Sequence, residues 1–128
     1  MNSTNFMDVI NFQQKILGHP GSKKPMLPDP LIGTQQVDFL LEEVQELSQA
    51  VHEGDIVAFS DALADIVYVA LGIAYQQGIP FDDIWDVVQK ANMKKVRGMT
   101  KRGQTYDAMK PIGWVAPEGQ ILKILSGK

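Results

Sequence analysis

Two acidic groups, Glu42, Glu43 and Glu46 in "LLEEVQEL" and Asp61 and Asp65 in "SDALADIV", stand on either side of the break His52-Glu53-Gly54-Asp55. Residues three and four apart on a helix share a face, so each group crowds like charges that repel. Counting about 1.5 Å per residue outward from Gly54, Glu46 lies roughly 12 Å along one helix and Asp61 roughly 10 Å along the other, while Glu43 and Asp65 both lie near 16 Å. The two stripes therefore meet at one level. Several carboxylates beside an apolar helix are costly unless they protonate or a cation holds them. An all-oxygen set of this kind suits a hard divalent ion, Mg2+ with Mn2+ as substitute, better than zinc. A solvated face is the ordinary alternative for Glu42. For Asp61 and Asp65 it is the weaker reading, because Val57, Phe59, Leu63, Ile66, Val67, Val69 and Leu71 surround them and predict that both lie inside protein. A di-iron carboxylate bundle needs Glu-x-x-His pairs. The two histidines, His19 and His52, fall in a loop and at a helix end instead.

The elements that must position these groups are helical. Phe6, Val9, Ile10, Ile16 and Leu17 recur at helical period, with Ser3 or Thr4 able to cap the start and Gly18 at the end. "HPGSKKPMLPDPLIG" follows, proline-rich and without period, and reads as an irregular connection. Val37, Leu40, Leu41, Val44, Leu47 and Val51 mark a second helix, closed by Gly54 in a left-handed cap, and Asp55 caps the third. So short a break makes the pair antiparallel. The third helix, from Ile56 to about Gly78, is apolar nearly all round and should be buried on every side, more than one 128-residue chain can wrap. Pro80 opens a fourth helix, with Phe81, Ile84, Trp85, Val88 and Ala91 inward, that should fade near Val96; Pro117 starts a short last one. The fold class expected is all-α: an antiparallel bundle of four main helices plus a short C-terminal helix, one domain over residues 1–128, completed by oligomerisation into a homodimer or tetramer.

Composition removes several function classes. The hydrophobic fraction of 45% and charged fraction of 21% are ordinary for a globular domain. A net charge of -3 without a basic block argues against nucleic acid as ligand. The longest uncharged apolar run, Ile66 to Tyr75, is short for a bilayer span, and no secretory signal opens the chain. Absence of cysteine fits a cytoplasmic protein.

"EEVQE" at 42–46, "DALADIVYVALG" at 61–72 and "ANMKKV" at 91–96 together resemble the all-α nucleoside triphosphate pyrophosphohydrolases. These include MazG-like proteins, dimeric dUTPases and phosphoribosyl-ATP pyrophosphatase, and the small phosphoribosyl-ATP pyrophosphohydrolase-like branch is the nearest in pattern. The resemblance implies that Glu43, Glu46 and Asp65 hold magnesium against substrate phosphates. The family's fourth ligand position falls on Ala62, so Asp61 would have to replace it from one residue earlier. It also implies hydrolysis of a nucleoside triphosphate between the α and β phosphates, with Glu43 the candidate to take the proton of the attacking water.

Polar residues on otherwise apolar stripes are the substrate-binding candidates: Gln13 on the first helix, as a base-reading amide or a satisfied core amide, and Asn92 and Lys95 on the fourth, for ribose or phosphate. Lys23, Lys24, Lys101 and Arg102 lie in connections where they can close over a triphosphate or stay solvated, and Tyr106 and Trp114 can stack on a base or pin the tail. The leading expectation is a Mg2+-dependent pyrophosphohydrolase of nucleotide-pool house-cleaning. Its rivals are a phosphoribosyl-ATP pyrophosphatase, disfavoured by the long proline-rich connection, and a non-catalytic helical oligomerisation or adaptor module, which Ala62 favours.

Overall fold

The computed structural model describes residues 2–98 and 106–127. The chain forms two compact units, Met1–Phe81 and Asp82–Lys128. Its elements run α1 (Asn5–Lys15), α2 (Pro30–Glu53), α3 (Ile56–Gln76), α4 (Phe81–Asn92), β1 (Val96–Arg97), β2 (Ala108–Met109) and α5 (Glu118–Ser126). The class is all-α, as the apolar period predicts. One short antiparallel ladder lies outside the expected helical elements: Val96 lies opposite Met109 and Arg97 opposite Ala108. Two residues per strand are too few to show an alternating pattern.

Capping residues set the helix limits in the first unit. The Thr4 hydroxyl accepts from Met7 N at 3.1 Å and starts α1. α2 begins earlier than its apolar stripe, inside the stretch read as irregular, because the Asp29 carboxylate accepts from Ile32 N at 3.0 Å and Pro30 takes the first helical position. At the break, Gly54 sits at φ 68° and ψ 31°, a conformation that costs other residues a Cβ clash. Asp55 then accepts from Ala58 N at 3.0 Å and opens α3. That two-residue turn folds α3 back along α2, and α1 packs on α3.

The core of this unit is small. Phe6, Val9, Leu71 and Ala74 form it, with Ile10, Tyr75, Ile79 and Phe81 packed around them, and Val9 is 1% exposed. The proline-rich connection is tied to the far end of α3: Tyr75 Oη donates to His19 O at 2.7 Å, Ser22 N to Gln76 O at 3.1 Å, and Met26 N to Gln77 O at 3.0 Å. Within a single chain α3 is not buried on every side. Ile56 and Val57 are 72% and 76% exposed, and Leu63, Val67 and Tyr68 are exposed further along. By length and composition α3 also suffices to cross a membrane, which the apolar-run count missed because Asp61 and Asp65 interrupt it. Within the unit it packs on α1 and α2, and 17% of its apolar stretch is buried.

In the second unit α4 ends at Asn92, short of Val96, where turn bonds Lys94 N to Ala91 O and Lys95 N to Asn92 O lead into β1. Trp114 Nε1 donates to Ala91 O at 2.7 Å and holds the tail against α4. The Lys95 and Lys110 ammonium groups lie 5.2 and 5.1 Å from the centroid of the Trp114 ring.

Candidate metal centre

Glu43 and Glu46, three apart on α2, face Asp65 on α3. Each offers a carboxylate oxygen, and the three oxygens lie within 4.8 Å of one another. The shared level of Glu43 and Asp65 follows from their near-equal distance to the Gly54 turn. Glu43 and Asp65 are half-buried and Glu46 is exposed.

The other two acidic candidates stand apart. Glu42 and Asp61 are exposed and lie outside this set. Burial of both aspartates was expected, and it holds only partly, for Asp65. The reason is rotational: at 100° per residue, Asp61 and Ala62 flank the direction of Asp65 by about 40° and 60° on opposite sides. The structure turns the Ala62 side inward, 3% exposed, and the Asp61 side to solvent.

A cation fits the three carboxylates present. Glu43 Oε2 is fully buried and has no hydrogen-bond partner among the described residues, which leaves a carboxyl oxygen that none of them satisfies. Burial pushes the Glu43 carboxyl above its usual 4.5, and a hydrogen bond to Glu46 together with the charges of Glu46, Asp65 and Glu42 push it the same way. As anions the three carboxylates repel one another, a repulsion that a bound cation or a proton would relieve.

The same carboxylates open onto a cavity of about 420 Å3 between α1, α2 and α3. Glu43 and Asp65 line it together with Phe12, Gln13, Gln36, Phe39, Tyr68, Gly72 and Gln76. Phe12 and Tyr68 meet edge to face at 5.4 Å. Gln13 is 6% exposed, and its amide oxygen is satisfied by a side chain rather than backbone: Gln76 Nε2 donates to Gln13 Oε1 at 3.2 Å. α1 approaches α3 this closely because position 72 is glycine, where a Cβ would stand 2.8 Å from Gln13 Nε2. The sequence reading missed Gln36 and Gln76. Neither has a polar side chain three or four positions away on its helix, so no periodic signal marks them.

Asn92 and Lys95 belong to the second unit, Asn92 exposed and Lys95 half-buried with its ammonium over Trp114. Lys23 and Lys24 are exposed. Tyr106 is exposed with the Arg97 guanidinium 5.1 Å from its ring centroid. Lys101 and Arg102 lie outside the described residues.

An all-α frame that sets Glu-x-x-Glu on one helix against Asp on the next, beside a cavity with an aromatic and amide wall, defines a carboxylate-based phosphohydrolase. The phosphoribosyl-ATP pyrophosphohydrolase family model matches residues 10–92, most of the chain, and the chain belongs to that family and so to the MazG-like nucleoside triphosphate pyrophosphohydrolase superfamily. No curated protein matches it. The family match runs through the proline-rich connection, so that segment does not set the chain apart from the phosphoribosyl-ATP branch as the sequence reading expected. Membership supports a metal-dependent pyrophosphohydrolase acting on a nucleotide.

Proposed function

We propose that the protein hydrolyses a (deoxy)nucleoside triphosphate between its α and β phosphates, releasing the monophosphate and pyrophosphate. The observation that carries this reading is a single cavity with carboxylates at one end and amides and aromatic rings at the other. By helical rise, Gln36 lies about 10 Å along α2 from Glu43, and Gln76 about 16 Å along α3 from Asp65. Phosphates belong at the carboxylate end and the base at the glutamine end. Glu43, Glu46 and Asp65 hold Mg2+, or Mn2+ in its place, and the bound ion supplies neutralisation of phosphate charge and acidification of water. Glu43, which lines the cavity with its Oε2 unpartnered among the described residues, accepts the proton of the attacking water. Asp61 and Glu42, on the exposed flanks, steady water around the phosphates.

Phosphoribosyl-ATP is the second reading, favoured by the family match itself. It carries the same α–β anhydride, so one experiment serves both: purified protein, Mg2+ and a panel of canonical, deoxy and deaminated nucleoside triphosphates plus phosphoribosyl-ATP, read by pyrophosphate release. Turnover of the simple triphosphates supports pool house-cleaning, turnover of phosphoribosyl-ATP alone supports the second reading, and release from none sinks both. A silent adaptor module would gain nothing from the unpaired Glu43 Oε2. The protein works in the cytoplasm as a homodimer or a tetramer of paired dimers. Support for self-association comes from the exposed Ile56, Val57, Leu63 and Val67 of α3.

A further inference from the structure

Four glutamine amides form a relay whose hydrogen-bond direction is set at one end. Gln77 Nε2 donates to the backbone oxygen of Met26 at 2.9 Å. A carbonyl only accepts, so Gln77 must present its nitrogen there and its Oε1 to the next member. Gln36 Nε2 donates to that Oε1 at 3.0 Å and to Gln76 Oε1 at 3.1 Å, which uses both of its hydrogens. Gln76 is thereby oriented with its nitrogen toward Gln13, and Gln76 Nε2 donates to Gln13 Oε1 at 3.2 Å. Turning any one amide over places nitrogen against nitrogen or oxygen against oxygen. At the open end Gln13 keeps its amide nitrogen for the cavity it lines, with no partner for it among the described residues.

We infer that Gln13 reads the base as an obligate hydrogen-bond donor, so the enzyme selects nucleotides whose base presents a keto oxygen, rather than an amino group, to the cavity. This rests on the nucleoside triphosphate reading above, not on phosphoribosyl-ATP, whose base carries nitrogen at C6, and names its substrate class: 6-keto purine or 4-keto pyrimidine nucleotides. An amino group at the same place would set donor against donor in a half-dry pocket. A site built to bond a polar group discriminates strongly against the analogue that cannot complete the bond. In this relay Gln76, Gln36, Gln77 and the Met26 carbonyl are positioning groups. They do not change what Gln13 is, only which of its two ends faces the ligand. The proline-rich connection thereby acquires a role, since its backbone at Met26 sets the direction of the whole chain of bonds.

The test uses two matched pairs, dITP with dATP and dUTP with dCTP, whose members differ by keto against amino at one ring position. Pyrophosphate release with Mg2+ is measured for each, alongside calorimetric binding of the four corresponding monophosphates. The native protein is expected to favour the keto member about tenfold or more in at least one pair, in kcat/KM and in affinity alike. Gln13→Glu still accepts from Gln76 but shows the ligand an acceptor, so the preference should fall or invert. Gln77→Leu, away from the cavity, removes the Met26 anchor and should reduce the ratio within the pair several-fold, a change that loss of packing alone would not produce. Equal or amino-favouring ratios for the native protein in both pairs, or native ratios in both variants, overturn the inference. Absence of pyrophosphate release with keto-selective monophosphate binding would defeat the proposed activity while upholding the donor role of Gln13.

Discussion

Glu43 and Asp65 present carboxylate oxygens within 4.8 Å of each other from antiparallel helices, and the Glu43 Oε2 beside them is buried without a partner. Two residues that repel in this way hold the α2–α3 pair together less well than neutral ones would. Their arrangement is a cost to the fold that a cation removes.

Mg2+ or Mn2+ should accordingly raise the melting temperature by mass action. At a hundredfold excess over Kd the gain is about 2.7 kcal/mol, on the order of 10 °C for a chain of this size. Asp65→Asn and Glu46→Gln should each abolish most of the shift and at least a hundredfold of activity. Asp61→Asn, on the solvent side of α3, should reduce both far less. Differential scanning fluorimetry with and without chelator checks this, and an Asp61→Asn protein as impaired as Asp65→Asn would show that Asp61 is a direct ligand.

The raised pKa of Glu43 sets a pH dependence for the metal-free protein. A folded pKa above the unfolded 4.5 means that the folded state binds its proton more tightly. The resulting stability is fully present below pH 4.5 and is lost as pH rises through the folded value. In chelator, stability should thus hold up on mild acidification better for the native protein than for Glu43→Gln, while Glu43→Gln should be the more stable of the two at neutral pH. Urea melts across pH 4 to 8 read the difference. Metal binding at neutral pH should release protons, visible as a buffer-dependent heat.

Gly72→Ala separates stability from recognition. The new Cβ falls 2.8 Å from Gln13 Nε2, the far end of a flexible side chain, so the amide is displaced rather than the helix. Alanine gains about 1 kcal/mol over glycine in a helix interior. The lost bond to Gln76 costs about 1 kcal/mol in return. The variant should melt within a few degrees of the parent yet lose several-fold in KM and its selectivity among bases. A large fall in melting temperature instead would show that Gln13 is chiefly a structural amide.

Light scattering at low micromolar concentration should find a dimer or a tetramer. Leu63→Lys or Val67→Lys, placed on the exposed face of α3, should yield monomers or reduce expression, since each puts a charge into an interface resembling half a core. A folded, active, monomeric native protein would remove the assembly proposal.

Much of this molecule is written locally. Gly54 and Asp55 carry the turn between α2 and α3, because a left-handed glycine and a capping carboxylate act on their own neighbours. Once the turn is placed, helical rise alone sets Glu43 level with Asp65. Rotation about the helix axis is different, since it depends on what packs on the far side, and only the tertiary structure decided that Ala62 faces inward and Asp61 outward. The start of α2 at Pro30 was legible in Asp29 but hidden by a proline-rich context. The glutamine relay was not legible at all. It joins residues 13, 26, 36, 76 and 77, far apart in the chain, and its direction comes from a backbone carbonyl whose position no side-chain pattern records.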